Sequence, residues 1–170
     1  SACLAFAAPM ASADVTHEGD LANIGSKGLA GLASRTVAVT MYDNYYEPEA
    51  IAVRPGETVR FVITNAGVAV HEFNIGTAAT HAVHQEEMEM MVDHGVIDFD
   101  VINYEMMKME MVDEHGNRTT MEHDDPNSVL IEPGKSAEIV WNFPHGGSLE
   151  FACNVPGHYD SGMMGPIVIQ

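Results

Sequence analysis

Phe151-Ala152-Cys153-Asn154-Val155-Pro156-Gly157-His158-Tyr159-Asp160-Ser161-Gly162-Met163-Met164-Gly165-Pro166 puts a thiol, an imidazole and a thioether on one loop, spaced Cys-x4-His-x4-Met. The stretch just before the thiol, Leu149-Glu150-Phe151-Ala152, reads as a strand that anchors the sulfur. Pro156-Gly157 turns the chain and brings His158 back beside Cys153, because Pro presets φ and Gly accepts positive φ. Gly162 and Gly165 bracket the methionines and allow close backbone approach. By spacing Met163 is the axial thioether, with Met164 as the alternative. A thiolate and imidazoles in a plane, with a weak axial thioether, are the donors of a mononuclear copper centre. The set needs a second imidazole, and His71 in Val70-His71-Glu72-Phe73-Asn74, placed just after a strand, is the candidate. Cys153 alone reads as a small buried hydrophobe, and His158 alone as a surface loop histidine. Their conjunction with Met163 and His71 points to copper. Zinc accepts thiolate and imidazole but does not select a thioether.

The chain around this loop has the period of strands. Val37, Val39 and Met41 alternate with Ala38 and Thr40, the pattern of a half-buried strand from Arg35 onward. Ala50-Ile51-Ala52-Val53, the turn Arg54-Pro55-Gly56-Glu57 and Thr58-Val59-Arg60-Phe61-Val62-Ile63-Thr64 follow. The same grammar returns as Val129-Leu130-Ile131-Glu132, Pro133-Gly134 and Ser136-Ala137-Glu138-Ile139-Val140-Trp141-Asn142-Phe143. Leu149-Glu150-Phe151 and Pro166-Ile167-Val168-Ile169 close the chain. About seven short β-rich segments with turns between them predict an all-β, antiparallel β-sandwich.

Between Thr77 and Asn127 the composition changes. Residues 81–125 hold eight of the twelve methionines, five of the nine histidines and 13 of the 25 acids. Thr80 is a candidate cap for a helix over 81–94, stopped by Gly95. On it His81, His84, Met88 and Met91 fall at i, i+3, i+7 and i+10, one continuous stripe. Met107, Met109 and Met111 alternate, so that stretch reads as strand or helix, with His115-Gly116-Asn117-Arg118 as its turn. Two readings of the stripe stand side by side. Thioethers and imidazoles suit Cu(I) and Cu(II), so His81, His84, Met88, Met91, His94, Met121 and His123 are candidate accessory copper ligands. Alternatively the methionines pack this segment on the sandwich and the histidines are solvated.

Length and charge bound the rest. At 170 residues the chain makes one domain with an elaborate insertion. Asp and Glu number 25 against seven Lys and Arg, a formal net charge of -18. That argues against nucleic acid and anionic membrane as partners, which need a basic face, and permits metal ions and basic proteins. Cys3 and Cys153 are the only cysteines. Cys3-Leu4-Ala5-Phe6-Ala7-Ala8-Pro9-Met10, followed by Ala11-Ser12-Ala13, is similar to the end of a secretory signal peptide cut after Ala13. No stretch reaches the ~18 apolar residues of a membrane span. The expected organisation is a signal-peptide remnant over 1–13, an arm with little regular structure over 14–34 that contains His17, and a sandwich domain over 35–170 with an insertion at about 77–127.

Val70-His71-Glu72-Phe73 and the Phe151–Tyr159 motif resemble those of the cupredoxins, the plastocyanin and azurin family. The resemblance covers roughly 35–76 and 128–170. It implies a Greek-key sandwich with a single type 1 copper and His71, Cys153, His158 and Met163 as ligands. By the same resemblance Asn65 ties the two ligand loops together by hydrogen bonds. Ile24-Gly25-Ser26-Lys27-Gly28, His71-Glu72-Phe73 and the Met/His-rich insertion resemble, more narrowly, periplasmic copper-tolerance cupredoxins of the CopI type. This implies a periplasmic, non-enzymatic protein that binds, sequesters or hands on copper, for instance to a copper exporter. The alternative is a one-electron carrier serving a redox protein, with His158 as the exit point. A copper oxidase would need a further cluster built from His-x-His pairs, and no such pair occurs in the sequence.

Overall fold

The computed structural model describes residues 24–112 and 115–170. The expected signal remnant with its cut after Ala13, Cys3 and His17 lie outside the described residues. Among the described residues twelve strands fall in chain order. They are β1 (Ser26–Lys27), β2 (Arg35–Tyr42), β3 (Tyr45–Glu47), β4 (Ile51–Val53), β5 (Thr58–Asn65), β6 (His71–Gly76), β7 (Met111–Val112), β8 (Arg118–Thr119), β9 (Ser128–Ile131), β10 (Ser136–Asn142), β11 (Leu149–Ala152) and β12 (Met164–Ile169). Two helices, α1 (Ala78–Asp93) and α2 (Tyr104–Met107), lie between β6 and β7.

Two five-stranded sheets form the sandwich, in the orders β1-β10-β5-β2-β3 and β4-β12-β11-β6-β9. Period-two sequence decides the inward faces: in β5, Val59, Phe61, Ile63 and Asn65 are buried while Thr58, Arg60, Val62 and Thr64 are half-buried. Phe61, Phe73, Phe143 and Phe151 pack with Tyr46 and Trp141 in the main core. Burying side chains of this size contributes about 1.5–3 kcal/mol each. The sandwich is not wholly antiparallel, since β2 pairs with β5 and β12 with β4 in parallel. The chain leaves the first sheet to make β4 in the second, then returns as β5 in the direction of β2.

The end of the expected unstructured arm is bound into the first sheet. Ser26 and Lys27 pair with Asn142 and Trp141. Ile24 is buried, and its carbonyl accepts a 2.8 Å hydrogen bond from Trp141 Nε1. A buried indole N–H needs an acceptor, and this backbone supplies it. Gly25 makes the approach possible: its φ is +112°, and a Cβ there would lie 2.3 Å from the Asn142 carbonyl oxygen.

Residues 77–127 leave from β6 and rejoin at β9, which pairs with β6 directly (His71 with Ile131, Asn74 with Ser128). Helix α1 starts three residues earlier than the sequence predicts. Thr77 is its cap, accepting from Thr80 N (3.2 Å), while Thr80 Oγ1 accepts from Thr77 N (2.8 Å). This reciprocal box satisfies two donors and outcompetes capping by Thr80 alone. The helix ends at Asp93, and Gly95, with φ +72°, turns the chain just beyond its His94 cap. Its buried residues are His81, His84, Met88 and Met91, the predicted stripe. Around Met107–Met111 both sequence readings have a share: Met107 ends the short helix α2, and Met111 opens β7, which pairs with β8.

Candidate metal centre

Strand alternation gives β6 two chemistries. His71, Phe73 and Ile75 share one face, and the latter two belong to the main core. Glu72 and Asn74 point the other way, where α1 and residues 121–128 cover them, so the whole strand is buried. His71 opens β6 rather than following a strand.

On the inner side His71 Nδ1 lies 3.2 Å from His158 Nδ1. Cys153 Sγ lies 3.3 Å from His158 Nδ1 and 3.9 Å from His71 Nδ1. Donors at about 2.0–2.3 Å from one ion have this mutual spacing, so the three side chains fit a metal. Cys153 is fully buried, His71 is nearly so and His158 is half-buried. His71 Nε2 donates to Asp43 Oδ1 (2.9 Å), which fixes the tautomer and aims Nδ1 at the sulfur. Gly67 makes room for this pair, since a Cβ there would lie 2.4 Å from Asp43 Oδ1. Burial lowers the pKa of His71 against the pull of Asp43, and lowers that of His158 with help from His71. Both rings are therefore neutral donors. Burial also pushes the Cys153 thiol up to about 12, so metal entry must drive off its proton.

Met163 is fully buried in the main core with Cys153. Its N–H donates to the His158 carbonyl (3.0 Å), and its own carbonyl accepts from Cys153 N (3.1 Å). Met164 opens β12 and is 37 % exposed. Alternation along the strand thus leaves Met163 as the inward thioether.

The tie between the ligand loops is not made by Asn65. Its side chain donates to the carbonyls of Ala69 (2.8 Å) and Ile131 (2.7 Å) and accepts from Gly67 N (2.9 Å), shaping the turn ahead of His71. Glu72 makes the tie instead. Its N–H points at Cys153 Sγ (3.3 Å), and its Oε2 accepts from Asn154 N (3.0 Å) and Asn154 Nδ2 (2.8 Å). Tyr46 O–H holds the Glu72 carbonyl at 2.6 Å.

Three comparisons agree with this reading. Residues 34–170 match the model of the copper-binding proteins of the plastocyanin/azurin family. The chain belongs to the plastocyanin/azurin family. Within it, the chain is 49 % identical over 149 residues to a protein of Pseudomonas aeruginosa named copper-resistant cuproprotein CopI, covering 86 % of this chain and 82 % of that one. A protein of the same name from Rubrivivax gelatinosus is 37 % identical over 178 residues, with 98 % and 92 % covered. Among solved structures, auracyanin B superposes with a TM-score of 0.60 at 18 % identity, covering 87 % of this chain and 99 % of that one. Reduced auracyanin from Roseiflexus castenholzii gives 0.55 at 22 %, covering 81 % and 98 %. These likenesses agree with the sandwich. As a member of the plastocyanin/azurin family the chain is a copper-binding protein, and His71, Cys153, His158 and Met163 fit its type 1 site. No helix among the described residues is long and apolar enough to cross a membrane.

Beside this family site, the structure sorts the candidate accessory ligands. Met88, Met91 and Met121 pack with Val70, Val96, Ile97, Ile102 and Met107 in a second hydrophobic cluster. His94 is exposed and donates to the Met90 carbonyl at the end of α1 (2.8 Å). His81 is buried against Tyr159, with Nδ1 3.1 Å from Asn154 Nδ2. His84 and His123 come together, their rings stacked with centroids 5.1 Å apart. Both meet Glu72, a residue for which the sequence reading assigned no role. The only trace of it in the sequence is a carboxylate one step after the candidate ligand histidine, inside an apolar strand.

Proposed function

We propose that this chain is a periplasmic copper-tolerance protein that binds copper at the Cys153 centre and holds it or hands it on. It acts as a binding protein and not as an enzyme. The observation that carries the copper reading is the buried triad of His71, His158 and Cys153, with donor atoms 3.2–3.9 Å apart. Similarity to proteins named for copper resistance supports the tolerance role. His71, Cys153, His158 and Met163 would hold the ion through two imidazoles, a thiolate and a thioether. Thiolate and thioether favour Cu(I) while the imidazoles serve both oxidation states, so this donor set would suit an ion that passes between the two. The chain contributes a dry pocket, two neutral imidazoles of fixed tautomer and a thiol that ionises only on metal entry. The net charge of -18 raises the local concentration of cations. If the ion is handed on, a copper exporter is the partner.

One observation favours a second reading, a one-electron carrier. The half-buried His158 borders a shallow depression lined by Val92, Phe99, Val155 and Pro156, an apolar landing place for a redox protein. One measurement tests the ligands that both readings share, and a second separates the two. Cys153→Ser abolishes an intense visible thiolate-to-copper absorption, and a surviving band refutes the ligand assignment. Gene deletion lowers the copper concentration at which cells grow if tolerance is the role. If it slows respiratory electron flow instead, the carrier reading holds.

A further inference from the structure

The outer face of β6 carries a second group of donors. Glu72 Oε1 lies 2.8 Å from His84 Nε2 and 3.1 Å from His123 Nε2. The three ligand atoms all lie within 4.8 Å of one another. We propose that Glu72, His84 and His123 form a second metal site that binds a copper(II) ion through two imidazole nitrogens and one carboxylate oxygen.

Four observations support the assignment. The first is the surroundings of the two rings. His84 Nδ1 donates to Glu87 Oε2 (2.9 Å), and His123 Nδ1 faces Asp125 Oδ2 at 3.9 Å. A carboxylate at the far ring nitrogen is the usual partner of a metal-bound histidine, since it fixes the tautomer and raises the basicity of the ligating nitrogen. Both Nε2 atoms are thereby turned to the same oxygen. The second is the carboxylate itself. Glu72 is fully buried and has both imidazole nitrogens on one of its oxygens. A buried carboxylate facing two imidazoles is a seat for a cation, whose entry displaces a ring proton to solvent.

The third is geometry. The imidazole nitrogens stand 2.8 and 3.1 Å from one carboxylate oxygen, close to the ~2.9 Å between neighbouring donors of a tetragonal copper(II) with bonds near 2.0 Å. Ser128 Oγ steadies the carboxylate from the side, donating to Oε1 at 2.5 Å. The fourth is access. A cleft lined by Ile102, Tyr104, Met107, Leu130, Ser128 and His123 leads to the group from outside. Imidazole and carboxylate donors without sulfur suit the divalent ion, and copper(II) is the strongest binder among first-row divalent metals at such sites. The choice of copper over zinc rests on the reading of the chain as a copper protein.

The test is copper counting on the full chain. The variant carrying both His84→Gln and His123→Gln keeps amides that hydrogen-bond to Glu72. Saturated with copper(II) and freed of excess metal, it is expected to hold one copper fewer per chain than the wild type. Its visible thiolate-to-copper band is expected at full strength. An unchanged copper count overturns the proposal. If the variant does not fold, crystals of the copper-loaded wild type decide. An anomalous copper peak within bonding distance of both Nε2 atoms upholds the second site, and a filled Cys153 site with no such peak overturns it. Loss of the visible band in the wild type would instead count against the thiolate centre, and the Glu72 peak would still be read on its own. A count restored by zinc(II) alone, with no copper(II) bound at the peak, overturns the metal assigned.

Discussion

His71 and Glu72 are neighbours in sequence and lie on opposite sides of one strand, and the two sides treat charge in opposite ways. On the inner side burial dominates: both imidazoles are neutral and the thiol keeps its proton until a metal arrives. On the outer side pairing dominates: Glu72 is ionised and His84 is charged against it. The inner pocket is made by the sandwich itself. The outer one exists only because residues 77–127 fold back over a sheet face that water would otherwise cover. Burial does not by itself set a protonation state. What decides is whether a partner of opposite sign is buried alongside.

Substitutions break or sharpen this contrast, in order of expected effect. Phe73 follows both residues on the shared strand and stacks with Phe151 at 5.6 Å. Phe73→Ala should cost about 3–5 kcal/mol in chemical denaturation and weaken both sides together. Asp43→Ala acts on the inner side alone, since Asp43 touches only the far nitrogen of His71 among the proposed ligands. Competition with a chelator should show copper affinity at the Cys153 centre falling about 10–100-fold, with the total copper count at saturation unchanged. Glu57, remote from both centres, is the control. Its hydrogen bond to Arg35, with help from Arg54 N and Ser34, lowers its pKa from 4.5 to about 2. A depressed carboxylate stabilises the fold above its unfolded pKa, so this contribution is present above about pH 4.5 and is lost as pH falls through about 2. Because solvent screens the pair, Glu57→Gln should cost only about 1 kcal/mol at pH 7. The difference from wild type should vanish in an acid melt near pH 2, with both centres untouched.

The two sides also differ in how far they could be read from sequence. Three of the proposed inner ligands sit on a loop whose spacing is local, so Cys153, His158 and Met163 were legible together, and His71 followed from the need for a second imidazole. The helix stripe was legible too, because four positions at helical spacing define one face whatever covers it. Choosing between Met163 and Met164 needed the start of β12, which only strand pairing fixes. Glu72 was opaque for a physical reason. A charged residue alternating with apolar ones in a strand reads as solvent-facing, and only distant chain, α1 and residues 121–128, reverses that. The same distance hid the loop tie, which falls to Glu72 and Asn154 rather than Asn65. The seat of Ile24 under Trp141 was hidden likewise, since neither residue announces the other across the chain.

The direct pairing of β6 with β9 has a further consequence. The two ends of residues 77–127 depart from and return to adjacent strands, about 4.8 Å apart. A length of chain with such close ends can grow, shrink or change composition while the strands beneath it stay zipped. The outer layer is therefore free to change length and composition, gaining or losing donors, as long as it still covers Glu72, the strut beneath the Cys153 loop.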